Sequence, residues 1–190
     1  MSIGNSHDSG GEFRKSIKGK KTQEYTAWQN MLKRCYAGYS HNTAWKDCEV
    51  CAEWLDFQEF AKWYTAQEGY AEGWQVDKDL IVEGNRVYSE STCSLVPAEI
   101  NSLFLKGRKS TLGLPEGVGK NGKKYRSEIH VGGYRYLGTF STIIEAAQAY
   151  QEAKAKYIVS LLVKYEDRLH PAVTETLRSR TTNINLTQRY

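Results

Sequence analysis

Apolar positions along this chain recur with two different periods, and the places where the period changes divide it. From Thr22, residues Tyr25, Trp28, Met31, Leu32 and Cys35 return three and four apart, which predicts an amphipathic helix. Thr22 supplies a cap, with Gln23 and Glu24 in the first turn. A second helix packed on the first is expected over residues 50–63, from Trp54, Leu55, Phe57, Phe60, Ala61 and Trp63, with Tyr64 just beyond. These aromatics read mainly as core. Residues 39–47 form a polar loop, and residues 69–73 a glycine-bounded turn into the next segment.

Residues 76–101, VDKDLIVEGNRVYSESTCSLVPAEIN, read as strand, loop, strand and helix. The first strand begins with Asp77 and Asp79, and Glu83-Gly84-Asn85 turns the chain. Arg86-Val87-Tyr88 is the second strand, and Pro97 opens a helix that carries Asn101. A carboxylate at one end and an amide at the other can hold one divalent metal.

Further on the period becomes two. Residues 124–131 (KYRSEIHV) alternate as a strand, Gly132-Gly133 signals a hairpin turn, and residues 134–140 (YRYLGTF) return. Gly117-Val118-Gly119 reads as a short first strand. Ser141 or Thr142 caps a helix, and Glu145 stands at capping-box distance from Thr142. Ala146, Ala147, Ala149, Tyr150, Ala153 and Tyr157 give that helix a small-residue face that can lie close on a sheet. The fold class is therefore α+β: an aromatic-rich helical lead, a strand–strand–helix unit, then a three-stranded antiparallel sheet packed on one helix.

The expected organisation is a basic flexible arm (1–21), a first domain (22–105), a linker (106–115), a second domain (116–163) and a tail (164–190). In the tail Leu169, Pro171, Val173 and Leu177 are anchors, and residues from 178 onward are loosely held. The arm places Arg14, Lys15, Lys18, Lys20 and Lys21 within eight residues. It reads either as a solvated tail or as an arm that touches phosphates.

With 40% hydrophobic and 12% aromatic residues, including 13 Tyr and 5 Trp, the chain can build a core and has flat surfaces suited to stacking. A net charge of +4 is compatible with nucleic acid as a partner. No apolar run reaches the roughly 18 residues of a membrane span and the N-terminus lacks a secretory pattern, so a cytoplasmic location is expected. The cysteines are then reduced thiols or ligands. Cys48-x-x-Cys51 has zinc spacing, and Cys35 and Cys93 could complete a four-thiolate structural zinc site; the other reading is four small buried hydrophobes.

Two resemblances follow. Arg34-Cys35-Tyr36, then Val50-Cys51-Ala52-Glu53-Trp54, then Val76-Asp77-Lys78 and Glu99-Ile100-Asn101 resemble phage-type HNH endonucleases across residues 25–104. The resemblance implies Asp77 and Asn101 as ligands of one Mg²⁺ or Mn²⁺, and a duplex-nicking activity in a bacterial host. The chain departs from that pattern at Lys78, where the family has its general-base His; Thr92 stands where a middle Asn is usual. A protonated lysine does not take a proton from water. Asp79 or Lys78 would therefore act near the attacking water, or Lys78 would contact phosphate directly on a non-catalytic scaffold.

The second resemblance runs over residues 117–157. Gly117-Val118, Tyr125-Arg126-Ser127-Glu128-Ile129, Tyr136-Leu137-Gly138-Thr139-Phe140 and Glu145-Ala146-Ala147-x-Ala149-Tyr150 resemble the Apetala-2 type DNA-binding domain. It implies double-stranded DNA read in the major groove by the sheet. The candidates are Lys124, Arg126, Glu128, His130, Arg135 and Tyr136, with Lys106, Arg108 and Lys109 of the linker on the backbone. Alternation spreads the sheet residues over two faces and leaves the register open. Gly119 stands where that family often has Arg. A further alternative is a phage protein that binds and inhibits a host protein.

Overall fold

The computed structural model describes residues 5–37, 45, 47–103 and 113–186. They form two units. The first comprises the chain up to Pro97 together with Arg168–Val173; the second comprises Ala98–Asp167 and the chain from Thr174 onward. Both are mixtures of helices and small sheets, so the chain is α+β. Among the described residues no helix is long and apolar enough to cross a membrane.

The first unit opens with a hairpin rather than a flexible arm. β1 (Ser16–Ile17) pairs antiparallel with β2 (Lys20–Lys21) through Lys18-Gly19. Both turn residues have positive φ, 49° and 76°. This backbone matches the twist of a two-residue hairpin and costs glycine little. The segment before it is laid along the domain. His7 exchanges backbone bonds with Leu55 and Phe57, and the Gln58 side chain bonds both the N–H and the carbonyl of Phe13. The polar composition misled here, because the stabilising partners are backbone groups that no periodicity reveals.

α1 (Gln23–Tyr36) starts where its cap predicts, with Thr22 Oγ1 accepting from the Tyr25 N–H. Its buried stripe is Trp28, Met31 and Leu32. The second segment folds differently from the expected single helix. β3 (Glu49–Val50) and a 3₁₀ turn precede α2 (Phe57–Ala66), which begins only at Asp56, whose carboxylate caps the Gln58 N–H. Phe57, Phe60 and Ala61 are fully buried. Trp54 lies 4.4 Å from Trp63 and edge-on to Phe60, and Trp28 Nε1 donates to the Trp54 carbonyl at 2.8 Å. Ring packing of this kind adds about 0.5–1.5 kcal/mol per pair beyond area burial.

β4 (Gln75–Asp77), β5 (Val87–Tyr88) and β6 (Ser94–Val96) follow. The two strands read from sequence do not pair with each other. β4 pairs antiparallel with β6, and β5 pairs in parallel with β3. The chain returns to this unit late. Arg168 donates to Glu68 and Glu72 and stacks over Trp74 at 4.9 Å, and Leu169 and Val173 are buried.

The second unit begins with α3 (Ala98–Leu103). β7 (Val118–Asn121), β8 (Lys124–His130) and β9 (Tyr134–Phe140) form an antiparallel sheet in that order. α4 (Ile143–Tyr165) packs on it. The capping box forms, with Thr142 Oγ1 accepting from the Glu145 N–H and the Glu145 carboxylate accepting from the Thr142 N–H. Ala146 is fully buried, and Gly117 faces the Tyr150 ring so closely that a Cβ would come within 2.0 Å of it. α4 extends beyond residue 163, and Glu99 binds Lys164 at 2.6 Å, Tyr157 at 3.2 Å and Tyr165. α5 (Pro171–Leu186) continues as helix past residue 178, where a loosely held segment was expected, and Val173 and Leu177 are fully buried. Of the expected anchors Leu169, Val173 and Leu177 are buried, while Pro171 is exposed.

Candidate nucleic-acid interface

The strand–loop–strand segment of the first unit is built around a lysine. Lys78 is 5% exposed, and its Nζ donates to Asp79 Oδ1 at 2.7 Å and to the Asn85 carbonyl at 3.0 Å. The Asn85 amide donates back to the carbonyl of Lys78 at 2.9 Å and to that of Val87. The Tyr88 ring lies 6.0 Å from Nζ. These contacts close the β4–β5 loop. Among the described residues, both hydrogen-bond acceptors of the ammonium lie in that loop. The Lys78 side chain is thus buried, with its ammonium held by the loop it belongs to.

Asp77 is held in a turn. Its Oδ1 accepts from the N–H groups of Asp79 and Leu80, each at 2.8 Å. Burial raises its pKa above the ordinary carboxylate range, with Asp79 adding to the rise and the two N–H donors opposing it. Asp79 is 54% exposed and bound to Lys78. Asn101 lies on α3 in the second unit. A hard divalent cation seeks several oxygen ligands. Within the first unit the residues present do not fit a catalytic one. Asp79 is engaged by the ammonium, one oxygen of Asp77 is engaged by amides, and none of the four histidines falls in residues 76–101.

All four cysteines are free thiols, Cys48 and Cys93 buried, Cys35 and Cys51 partly so. Burial pushes Cys35 and Cys93 up to about 12 and raises Cys51. Among the described residues, no three His, Cys, Asp or Glu side chains gather into a metal-holding group.

The second unit presents a different surface. On β8, Ser127 and Ile129 point into the covered side and are buried, while Lys124, Arg126 and His130 are exposed. A β-bulge at Ser127/Glu128 decides what joins them from β9. Ser127 pairs with Gly138 but Glu128 pairs with Tyr136, so Leu137 is the extra residue. A one-residue slip turns every later side chain to the opposite face. The bulge therefore brings Tyr136 and Tyr134 onto the open face with Glu128 and His130. Arg135, opposite the buried Ile129, goes to the other side. This splits the expected set: Lys124, Arg126, Glu128, His130 and Tyr136 share a face, and Arg135 does not.

That face is polar, aromatic and organised. Tyr134 and Tyr136 are 57% and 55% exposed. Glu128 Oε2 accepts from Arg126 Nε and the Tyr134 hydroxyl, both at 3.1 Å. The Tyr136 hydroxyl meets Thr139 Oγ1, which also accepts from Asn121. His130 stacks edge-on to Tyr134. Gly119 lies opposite Arg126 and a Cβ there would approach its Nε within 2.9 Å, so the missing side chain gives the guanidinium its place. Tyr134, Asn121 and Thr139 were not singled out from sequence, although the Tyr-x-Tyr spacing of β9 marks Tyr134 as Tyr136's same-face neighbour. Lys106, Arg108 and Lys109 lie outside the described residues.

Compared with known proteins, the chain matches no family model, no curated protein and no solved structure.

Proposed function

We propose that this chain binds double-stranded DNA through the open face of β7, β8 and β9, and that the Lys78 loop is a scaffold element rather than a nuclease centre. One observation carries the reading: Arg126, His130, Tyr134 and Tyr136 stand exposed on a single face of a sheet whose other face is covered by α4. Arginine and histidine donate to phosphates and base edges, and tyrosine rings offer flat apolar contact with a hydroxyl at the tip. The resemblance to Apetala-2 domains points the same way.

Fluorescence anisotropy with a short mixed-sequence duplex tests it. The wild type binds with an affinity that falls as salt rises. The double substitution Arg126→Ala/Tyr136→Ala weakens binding at least about tenfold, since each lost contact is worth about 1 kcal/mol or more, and the melting temperature stays unchanged. Unaltered affinity in that variant refutes the reading.

A second reading, a metal-dependent endonuclease, draws on the buried carboxylate of Asp77 at the end of β4. A supercoiled-plasmid nicking assay with Mg²⁺ or Mn²⁺ separates the two. Metal-dependent nicking by the wild type, abolished in Asp77→Ala, would restore catalysis.

A further inference from the structure

We propose that the β1–β2 hairpin is a second, independent DNA contact, a preformed basic prong that enters a groove of the duplex. This rests on the reading of the chain as a duplex-binding protein but uses none of the residues of the open sheet face. Five cations fall within residues 14–21. Lys15 is neutralised by Asp8 at 2.8 Å, and Lys21 Nζ donates to the uncharged Gln29 Oε1 at 2.7 Å. Arg14, Lys18 and Lys20 are exposed and have no carboxylate partner among the described residues. The remaining acid in the segment is Glu12, also exposed.

The shape is fixed before any ligand arrives. The Thr22 N–H bonds the Lys15 carbonyl, Thr22 Oγ1 donates to the Arg14 carbonyl, and Gln58 clamps Phe13, so the root of the hairpin is tied to α1 and α2. A tied root lowers the ordering cost that a flexible basic tail meets on binding. At the tip, Ile17 is 59% exposed and pairs with Lys20 across the turn. A β-branched apolar residue held in water between lysines gains nothing within the fold. A two-stranded ribbon fits a DNA groove, where its cations meet the flanking phosphates and an apolar tip meets sugars or base edges.

The test uses the full chain and the same duplex across a salt series. Lys18→Asn/Lys20→Gln keeps the turn, because Asn-Gly suits both left-handed positions. Two lost phosphate contacts lower the log–log salt slope by about 1.8 and weaken binding on the order of 10- to 100-fold at moderate salt. Ile17→Ser weakens binding with the slope unchanged. If the lysine variant keeps both slope and affinity while Arg126→Ala/Tyr136→Ala loses binding, the prong is wrong and the sheet reading stands. Wild-type protein that binds no duplex refutes both. Binding to anionic phospholipid vesicles that depends on Lys18 and Lys20, with DNA affinity unaffected, assigns the hairpin to a membrane surface and also overturns the proposal.

Discussion

Lys78 and Arg126 are both basic residues beside a strand, both bonded to a carboxylate, and their surroundings give them opposite meanings. Lys78 is 5% exposed, and its ammonium is used up inside one loop. Arg126 has 46% of its side chain exposed, and its guanidinium lies on an open face beside two uncovered tyrosines. A buried cation that bonds the backbone of its own loop sets the path of the chain. An exposed one held by a neighbouring carboxylate stays open to solvent. Residue type and a nearby acid do not separate these cases; burial and the identity of the acceptor do.

The largest test of this contrast is Lys78→Ala. It empties a buried site and leaves the Asn85 carbonyl without its donor, so urea unfolding should show a loss of about 2–3 kcal/mol, with DNA affinity of the folded protein unchanged. An intact stability together with lost DNA binding would erase the distinction between the two sites.

Asp77→Asn is smaller and depends on pH. Asparagine keeps an Oδ1 for the Asp79 and Leu80 N–H groups. Burial raises the folded pKa of Asp77, so the folded state holds its proton more tightly than the unfolded one. The stabilising contribution of the protonated form is full below the unfolded carboxylate pKa and is lost as pH rises through the folded one. The variant should therefore match the wild type below about pH 4 and be the more stable of the two near neutrality; thermal melts across that range check it. Glu128→Gln sharpens the other side. It keeps an acceptor for Arg126 and Tyr134 while removing a negative charge from the open face. Stability should move by less than about 0.5 kcal/mol, and DNA affinity should rise in an anisotropy titration.

Much of the fold was legible in the sequence. Thr22, Glu145 and the alternation of residues 124–140 marked helix starts and strands, because caps and periods are local. The pairing of β4 with β6, and of β5 with β3, was not, because short strands in a polar loop carry no register signal. The open face was half legible. The residues of β8 could be read by alternation, but the bulge that turns Tyr134 and Tyr136 outward is set by how Leu137 is accommodated. Lys78 was noticed for what it replaces; its burial depends on Asn85 and Tyr88, seven and ten positions on.

The return of Arg168, Leu169 and Val173 to the first unit has a consequence for how the protein is made. These residues leave the ribosome after β7, β8, β9 and α4. Until then Glu68 and Glu72 have no guanidinium between them and the Trp74 ring lacks its cover. The half of the chain synthesised first is thus the half whose folding is sealed late, by a clasp that follows most of the second unit in sequence.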